Sequence, residues 1–539
     1  MTGFFHGGWI QRLSFTRISR HDLNPVMKKF FCMSISIVTC LSAVVQATAQ
    51  DETSTVIAVV AVDSYGDLKK QVDWLGGLSG NPALSLTVEQ FIALGTGGKG
   101  LQGLDTSRPI GLVVTASNDQ PGLHGFVPVT DGDALQEALA GVIAPVQLMI
   151  DISIKDDWAI ITPKGEQPAL DTPGELFDSV TDLFSLGIKV FPSRMPETMR
   201  EEFFQSLEGL QNTPGVIGMD QLPGSDISID ATARESFEQI DAFMAGLSID
   251  LPEERIFVES RIVTAEGSES EAIWNTAGDV KPTIVLPTPK DGASTIAKGQ
   301  TAQAIAPESR ASIEASLLNQ MPFDQDDPAE KLIGTIATDV IAAILDNGSI
   351  DAGMTIETDP SAPAPMPSVT IGMKIKDGRA LEKKLKEHLE NSDIIPDTIS
   401  MTLDAAENGG FTFHDFSMPP YVVSLAVAED AVYVIGKGGE ADHTAIEGTP
   451  NPDFKPFTSL ELSLKPLMGL AAMVQPDLLQ ALGGAGDVSG QVLFLMRPIT
   501  RGVASRLSID ADGIKTIATV GMKAVMQMQM QGVPGDSPF

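Results

Sequence analysis

The side chains that could carry chemistry in this chain are few, and their spacing is loose. Beyond residue 50 the histidines are His124, His388, His414 and His443. None stands in H-E-x-x-H or another compact ligand spacing, so no zinc-hydrolase helix is expected. His388 falls at the edge of an apolar helix face. It could answer a ligand or a pH change there, but a half-exposed histidine at a core edge is the more economical reading. His414 lies in Phe411-Thr-Phe-His-Asp-Phe416. If that stretch is a strand, His414 and Asp415 point to opposite faces and cannot form a local catalytic pair. Met526-Gln-Met-Gln-Met530 places three soft thioethers, Met526, Met528 and Met530, where Cu(I) could bind. As a helix, however, Met522, Met526 and Met530 share one face with Val525, the pattern of a docking helix that fills irregular core space.

Other motifs fall short of a site. Asp324-Gln-Asp-Asp327 and Asp510-Ala-Asp-Gly513 could attract calcium. Neither completes an EF-hand loop: in the second, Ser508 replaces the first aspartate and no glutamate closes it. Gly95-Thr-Gly-Gly-Lys-Gly100 fits G-x-G-x-x-G, yet a helical pattern precedes it where a dinucleotide site needs a strand. Gly100 also stands where a phosphate loop needs Ser or Thr. No G-x-S-x-G elbow occurs. Carboxylates abound, but a hydrolase pair is defined by separation in space. The residues therefore predict no catalytic group, no cofactor and no resident metal. His388, His414, Met526, Met528 and Met530 stay as ligand candidates.

Composition bounds the rest. A chain of 539 residues with 43% apolar residues is long enough for two or more packed cores. Met27-Lys28-Lys29, the apolar run Phe30 to Val45 and Ala47-Thr48-Ala49 read as a signal peptide over 27–49, with cleavage after Ala49 leaving Gln50 first. The run is too short for a membrane span, so none is expected after cleavage. Residues 1–26 read as an upstream extension with translation starting at Met27. Both cysteines, Cys32 and Cys40, fall inside the signal, which removes thiol and Cys–zinc chemistry from the mature chain. Loss of the first 49 residues removes five basic groups and one acid from 36 and 71, leaving 31 and 70, a formal charge near −39. Such a surface repels nucleic acid and anionic lipid. It suits solubility in a saline exterior, a cation or a basic protein partner. Localisation is expected to be periplasmic or extracellular.

The elements that would position these side chains repeat. Val129-Thr-Asp-Gly-Asp-Ala-Leu-Gln-Glu-Ala-Leu139 recurs as Ile375-Lys-Asp-Gly-Arg-Ala-Leu-Glu-Lys-Lys-Leu385. Each reads as a strand end, an Asp-Gly turn and an amphipathic helix, with Asp131 and Asp377 as structural helix caps. Around this mark other blocks line up: Thr55–Ala58 with Thr283–Leu286, Asp156–Ile161 with Glu429–Val434, Ile188–Pro192 with Leu462–Pro466, Glu202–Leu207 with Asp477–Leu482 and Val258–Ile262 with Val503–Leu507. Helices are expected over Tyr65–Leu78, Thr87–Leu94, Pro173–Leu186, Pro196–Leu210 and Ala231–Ala245. The order of elements predicts an α+β fold of two tandem related domains with mainly antiparallel sheets. The first repeat covers 50–275 and a Pro-containing joint covers 276–290. The second repeat covers 283–531, and 532–539 forms a tail.

An exported, cysteine-free, acidic chain carrying this strand, Asp-Gly-x-Ala-Leu helix and strand-pair plan twice resembles the large exported bacterial proteins grouped as domains of unknown function. The resemblance implies a periplasmic or secreted α+β protein and brings no catalytic residues with it. The expected function is non-enzymatic binding or cell-envelope interaction. A carboxylate-dependent hydrolase and a periplasmic carrier of apolar ligands are the alternatives.

Overall fold

A computed structural model describes residues 54–117, 120–143, 150–168, 170, 172–211, 234, 237–286, 293–307, 310–319, 328–358, 366–390, 399–444, 446, 454–474 and 488–517. The expected signal, with Ala47, Ala49 and Gln50, lies outside these residues. So do Asp324–Asp327 and the Met526, Met528, Met530 run. The chain divides into two compact units, Met1–Glu271 with Thr500–Ala504, and Ala272–Ile499 with Ser505–Phe539. Helices accompany extensive antiparallel sheet, an α+β composition. Among the described residues no helix is long and apolar enough to cross a membrane.

In the first unit the central strand is β1 (Thr55–Val62), a nearly continuous apolar run buried between β2 (Ile110–Ser117) and β6 (Leu186–Val190). β3 (Gln120–Pro128) pairs with β2. β5 (Trp158–Pro163) pairs with β3, and β4 (Ile150–Lys155) with β5. On the other side β7 (Ile240–Asp250) follows β6, and β8 (Arg255–Thr264) follows β7. The order is β4-β5-β3-β2-β1-β6-β7-β8, antiparallel throughout. The helices are α1 (Tyr65–Leu78), α2 (Leu84–Gly95), α3 (Gly132–Ile143), α4 (Gly174–Thr181) and α5 (Glu197–Gln211); α6 (Glu269–Ala277) follows β8, and its residues from Ala272 onward belong to the second unit. With aromatics scarce, those present are concentrated. Phe126, Trp158 and Phe177 form an edge-to-face trio with centroids 5.9–6.3 Å apart. Each such contact contributes about 1 kcal/mol beyond burial.

In the second unit the strands are β9 (Ser294–Ala304), β10 (Ser349–Thr358), β11 (Pro367–Lys374), β12 (Ser400–Asn408), β13 (Phe411–Met418), β14 (Tyr421–Val427), β15 (Ala431–Gly438), β16 (Thr458–Ser463), β17 (Gln491–Ile499) and β18 (Gly502–Asp510). The residues of β18 from Ser505 onward belong to this unit. Pairing gives β12-β13-β14-β15-β11-β10-β9-β16-β17, again antiparallel. The helices are α7 (Arg310–Asn319), α8 (Pro328–Leu345), α9 (Gly378–Glu390) and α10 (Leu464–Val474).

Three expected elements differ. The helix over Ala231–Ala245 gives way to β7 from Ile240 onward. Its residues are buried nearly continuously between β6 and β8, and an apolar run buried on both faces carries no period that separates strand from helix. The helix expected to reach Leu186 stops at Thr181, and Leu186–Val190 is strand β6 instead, taken up by pairing with β1. Thr283–Leu286 is not a strand. Its polar groups are taken by side chains instead, the Thr283 N–H and hydroxyl by buried Asp351, and the Val285 N–H and carbonyl by the Tyr433 hydroxyl (3.2 and 3.0 Å). The first described strand of this unit is β9, whose Ser, Thr, Gln and Gly content hides it from a hydropathy reading.

Candidate functional site: a lysine-filled carboxylate–histidine cluster

The motif helix α9 has two faces. Leu381, Leu385 and Leu389 are buried, and the first two pack with Ile375, Val427 and Val432. Asp377 Oδ1 accepts the Ala380 N–H at 3.1 Å, and the Gly378 N–H donates to Glu429 O at 2.8 Å. In α3, Asp131 Oδ1 accepts the Ala134 N–H in the same manner, at 3.1 Å. Glu382, between two of these leucines, is only 6% exposed. Arg379 Nη1 (2.7 Å) and Lys386 Nζ (2.8 Å) reach it from three residues before and four after, the spacings that place side chains together on a helix.

The hairpin β12–β13 closes over this face. A register shift in β12 between Thr402 and Ala406 holds Asp404 at φ 51°. Its carboxylate accepts from Lys386 Nζ at 2.7 Å, and its N–H donates to His414 Nδ1 at 3.1 Å. His414 is 3% exposed. Its Nε2 lies 3.5 Å from Glu382 Oε1 and has no hydrogen-bond partner. Arg379 ties the far end, donating to Thr412 Oγ1 at 2.7 Å and to Gly410 O at 3.2 Å.

Burial by itself would push the Glu382 carboxyl up, but the hydrogen bonds from Lys386 and Arg379 outweigh it and hold it below its usual range. The hydrogen bond from Lys386 likewise lowers Asp404. Burial disfavours charging Lys386, yet its bonds to Asp404 and Glu382 raise it overall. Burial is also the main reason that His414 titrates below its ordinary value, against the pull of Glu382.

Glu382, Asp404 and His414 offer ligand atoms within 4.8 Å of one another, a donor set a borderline divalent ion could use. Two features of the geometry oppose it. The Lys386 ammonium already sits on both carboxylates. The Asp404 N–H makes His414 Nδ1 an acceptor, so Nε2 carries the proton, the reverse of a metal-bound histidine, which donates its remote N–H. The cluster is an internal ion network with its own cation. Both carboxyl groups are held below their usual range, whereas an acid–base pair sets its two carboxyl groups apart.

His414 and Asp415 do face apart. Asp415 accepts from Ser424 Oγ (2.7 Å) and meets His443 Nε2 (2.8 Å). The carboxylate therefore stands between hydroxyl and imidazole, whereas a nucleophile relay needs the imidazole between. His388, 33% exposed, meets Asp339 Oδ2 at 2.9 Å, and Lys384 meets Oδ1 at 2.8 Å. With Thr335, Thr338 and Glu387 these side chains line an open cleft of about 480 Å³ between α8 and α9. In the first unit His124 is buried beside Thr115 Oγ1 (3.3 Å), and burial lowers its pKa. Gly95 ends α2 and Thr96–Gly100 follows it, the turn closing through the Gly100 N–H on Thr96 Oγ1 at 2.8 Å. Asp510 caps locally, accepting the N–H groups of Gly513 (2.8 Å) and Gln491 (3.0 Å).

Glu382, Lys386 and Asp404 are absent from the sequence-derived candidates. The helix ion pairs were legible as spacing, but their meeting with Asp404 depends on a hairpin folded at Gly409-Gly410. Comparison of the chain with protein-family models, with curated proteins and with solved structures gives no match.

Proposed function

We propose that this chain is an exported, non-enzymatic binding protein of the cell envelope, built from two copies of one α+β plan. One observation carries the reading. The order β4-β5-β3-β2-β1-β6-β7 of the first unit is repeated as β14-β15-β11-β10-β9-β16-β17 in the second, with α3 and α9 at the same place in it. The hairpin β12–β13 is then an addition, inserted after the motif helix. The two copies diverge where surfaces are chemical. Arg379, Glu382, Lys386 and His388 stand where the first copy has Asp133, Gln136, Ala140 and Val142. Divergence of polar and charged groups on a kept frame suits recognition of different partners by the two copies. The clusters of the second unit support binding over catalysis, since their acids and bases neutralise each other.

The test is direct. Purified mature protein is assayed against broad ester, glycoside and peptide substrate panels, and its compartment is read by fractionation of expressing cells. Turnover on any panel, or a cytoplasmic location, would overturn the proposal.

A further inference from the structure

The two units differ in how they end one edge of the sheet. In the second unit, β14 is covered by β13, which sets Thr412 beside Val427, His414 beside Leu425 and Phe416 beside Val423. The corresponding strand of the first unit, β4, pairs only with β5 among the described residues. Its direction of exposure follows from its turn. Asp156 and Asp157 both have positive φ (47° and 62°), the two-residue turn that makes the flanking Lys155 and Trp158 a hydrogen-bonded pair. Pairs alternate from there, so Ile154, Ile152 and Ile150 point their N–H and C=O groups away from β5, toward the open edge. Ile152 packs into the cluster with Leu104, Val129, Leu135 and Ala159 beneath α3, while Ile154, 42% exposed, abuts Gly132. The strand is six residues long with no proline and no register shift, so nothing in its backbone blocks pairing.

We infer that the β4 edge of the first unit is a docking site for an extended basic segment of a partner protein, which adds there as a strand, as β13 does in the second unit. The inference rests on the reading of the two units as copies of one plan. The choice of partner follows from charge. In the second unit the side chains of β13 meet Arg379 and Glu382 of the motif helix. At those positions α3 presents Asp133 and Gln136. A residue placed opposite Ile154 meets an exposed carboxylate where Thr412 meets a guanidinium. Asp131, Asp156 and Asp157 add three exposed carboxylates at the same end, against two cations, Lys155 and Arg108, whose guanidinium lies 4.3 Å over the Trp158 ring and 3.4 Å from Asp157 O. Main-chain hydrogen bonds would give affinity, and alternate Lys or Arg side chains would give selectivity. The acidic surface of the chain speeds encounter with such a segment.

The test uses the mature protein and a labelled peptide of alternating Lys and Val, with a Glu–Val peptide as control. The basic peptide is expected to bind saturably at low salt, the acidic one at least about tenfold more weakly. Binding should slow amide exchange over Ile150–Lys155. Ile154→Pro deletes an outward N–H that β5 does not use and should weaken binding about tenfold or more. Asp133→Lys, which leaves the strand intact, should weaken it several-fold and covers the case in which the proline variant unfolds. Unchanged affinity in Asp133→Lys, or protection elsewhere than in β4, overturns the inference. So does a dimer abolished by Ile154→Pro, since the occupant is then a second copy. Failure of the shared plan would show separately, as units that do not superpose in an experimental structure.

Discussion

Gly378→Ala tests whether the Asp-Gly motif is structural at its second residue. A Cβ at Gly378 would lie 1.8 Å from Ala428 O, 3.0 Å from its carbonyl carbon and 3.2 Å from Glu429 O. These atoms are backbone, in the turn that joins β14 to β15, so no side chain can swing aside. Restoring ordinary contact moves the start of α9 by about 1.5 Å and stretches the 2.8 Å bond from Gly378 N to Glu429 O. Overpacking costs roughly 1–3 kcal/mol and a weakened hydrogen bond about 1 more, so about 3 kcal/mol is expected. Gly132→Ala at the same motif position should cost less, about 1–2 kcal/mol, because the three atoms nearest its Cβ, 2.8–3.0 Å away, belong to the Ile154 side chain and not to backbone. Gly469→Ala, in open space on α10, should stabilise by about 0.5–1 kcal/mol. Urea midpoints by circular dichroism give the ranking, and amide exchange over α9 localises the loss. Equal midpoints for Gly378→Ala and wild type, or undisturbed exchange over α9, would refute the reasoning.

The ion network yields two more expectations. Lys386→Met leaves buried Glu382 with Arg379 alone, and a loss of about 2 kcal/mol is expected. Asp404, 56% exposed, contributes little to it. With Glu382→Gln added, the double variant should be more stable than the summed single losses by about 1 kcal/mol, and strict additivity would rule out the coupling. The second concerns acid. His414 titrates below 6.5 in the folded protein, so its contribution is complete above that value and is lost as pH falls through it. Wild type should therefore lose stability relative to His414→Gln between about pH 7.5 and about pH 5.5. A relative gain in that window would reverse the sign and exclude a buried neutral imidazole. Glu382 and Asp404 add losses only below their ordinary 4.5 and 3.8.

Some of this was legible from residue order alone. The Asp-Gly-x-Ala-Leu pattern located α3 and α9 because a capping side chain, a small turn residue and leucines at helical spacing are local requirements. The match of Glu429–Val434 to Asp156–Ile161 located the far part of the β14–β15 hairpin. β7 and β9 escaped, one because burial on both faces erases periodicity, the other because a central strand can be built of Ser, Thr, Gln and Gly when its neighbours supply the apolar cover. The opposed directions of His414 and Asp415 followed from the strand period. Their partners did not, because Glu382, Asp404 and His443 approach from other elements.

By itself, then, the sequence determined the acidic, thiol-poor character of the chain, the antiparallel α+β composition and the position of the repeated motif, all properties of neighbouring residues. Only the tertiary structure decided that Lys386 fills the carboxylate–histidine cluster, that Thr283–Leu286 is held by Asp351 and Tyr433 in place of a strand, and that β4 pairs on one side only among the described residues. Each depends on which side chains and backbone groups arrive at one place from distant positions. That is fixed by strand order and packing, and no local pattern encodes it.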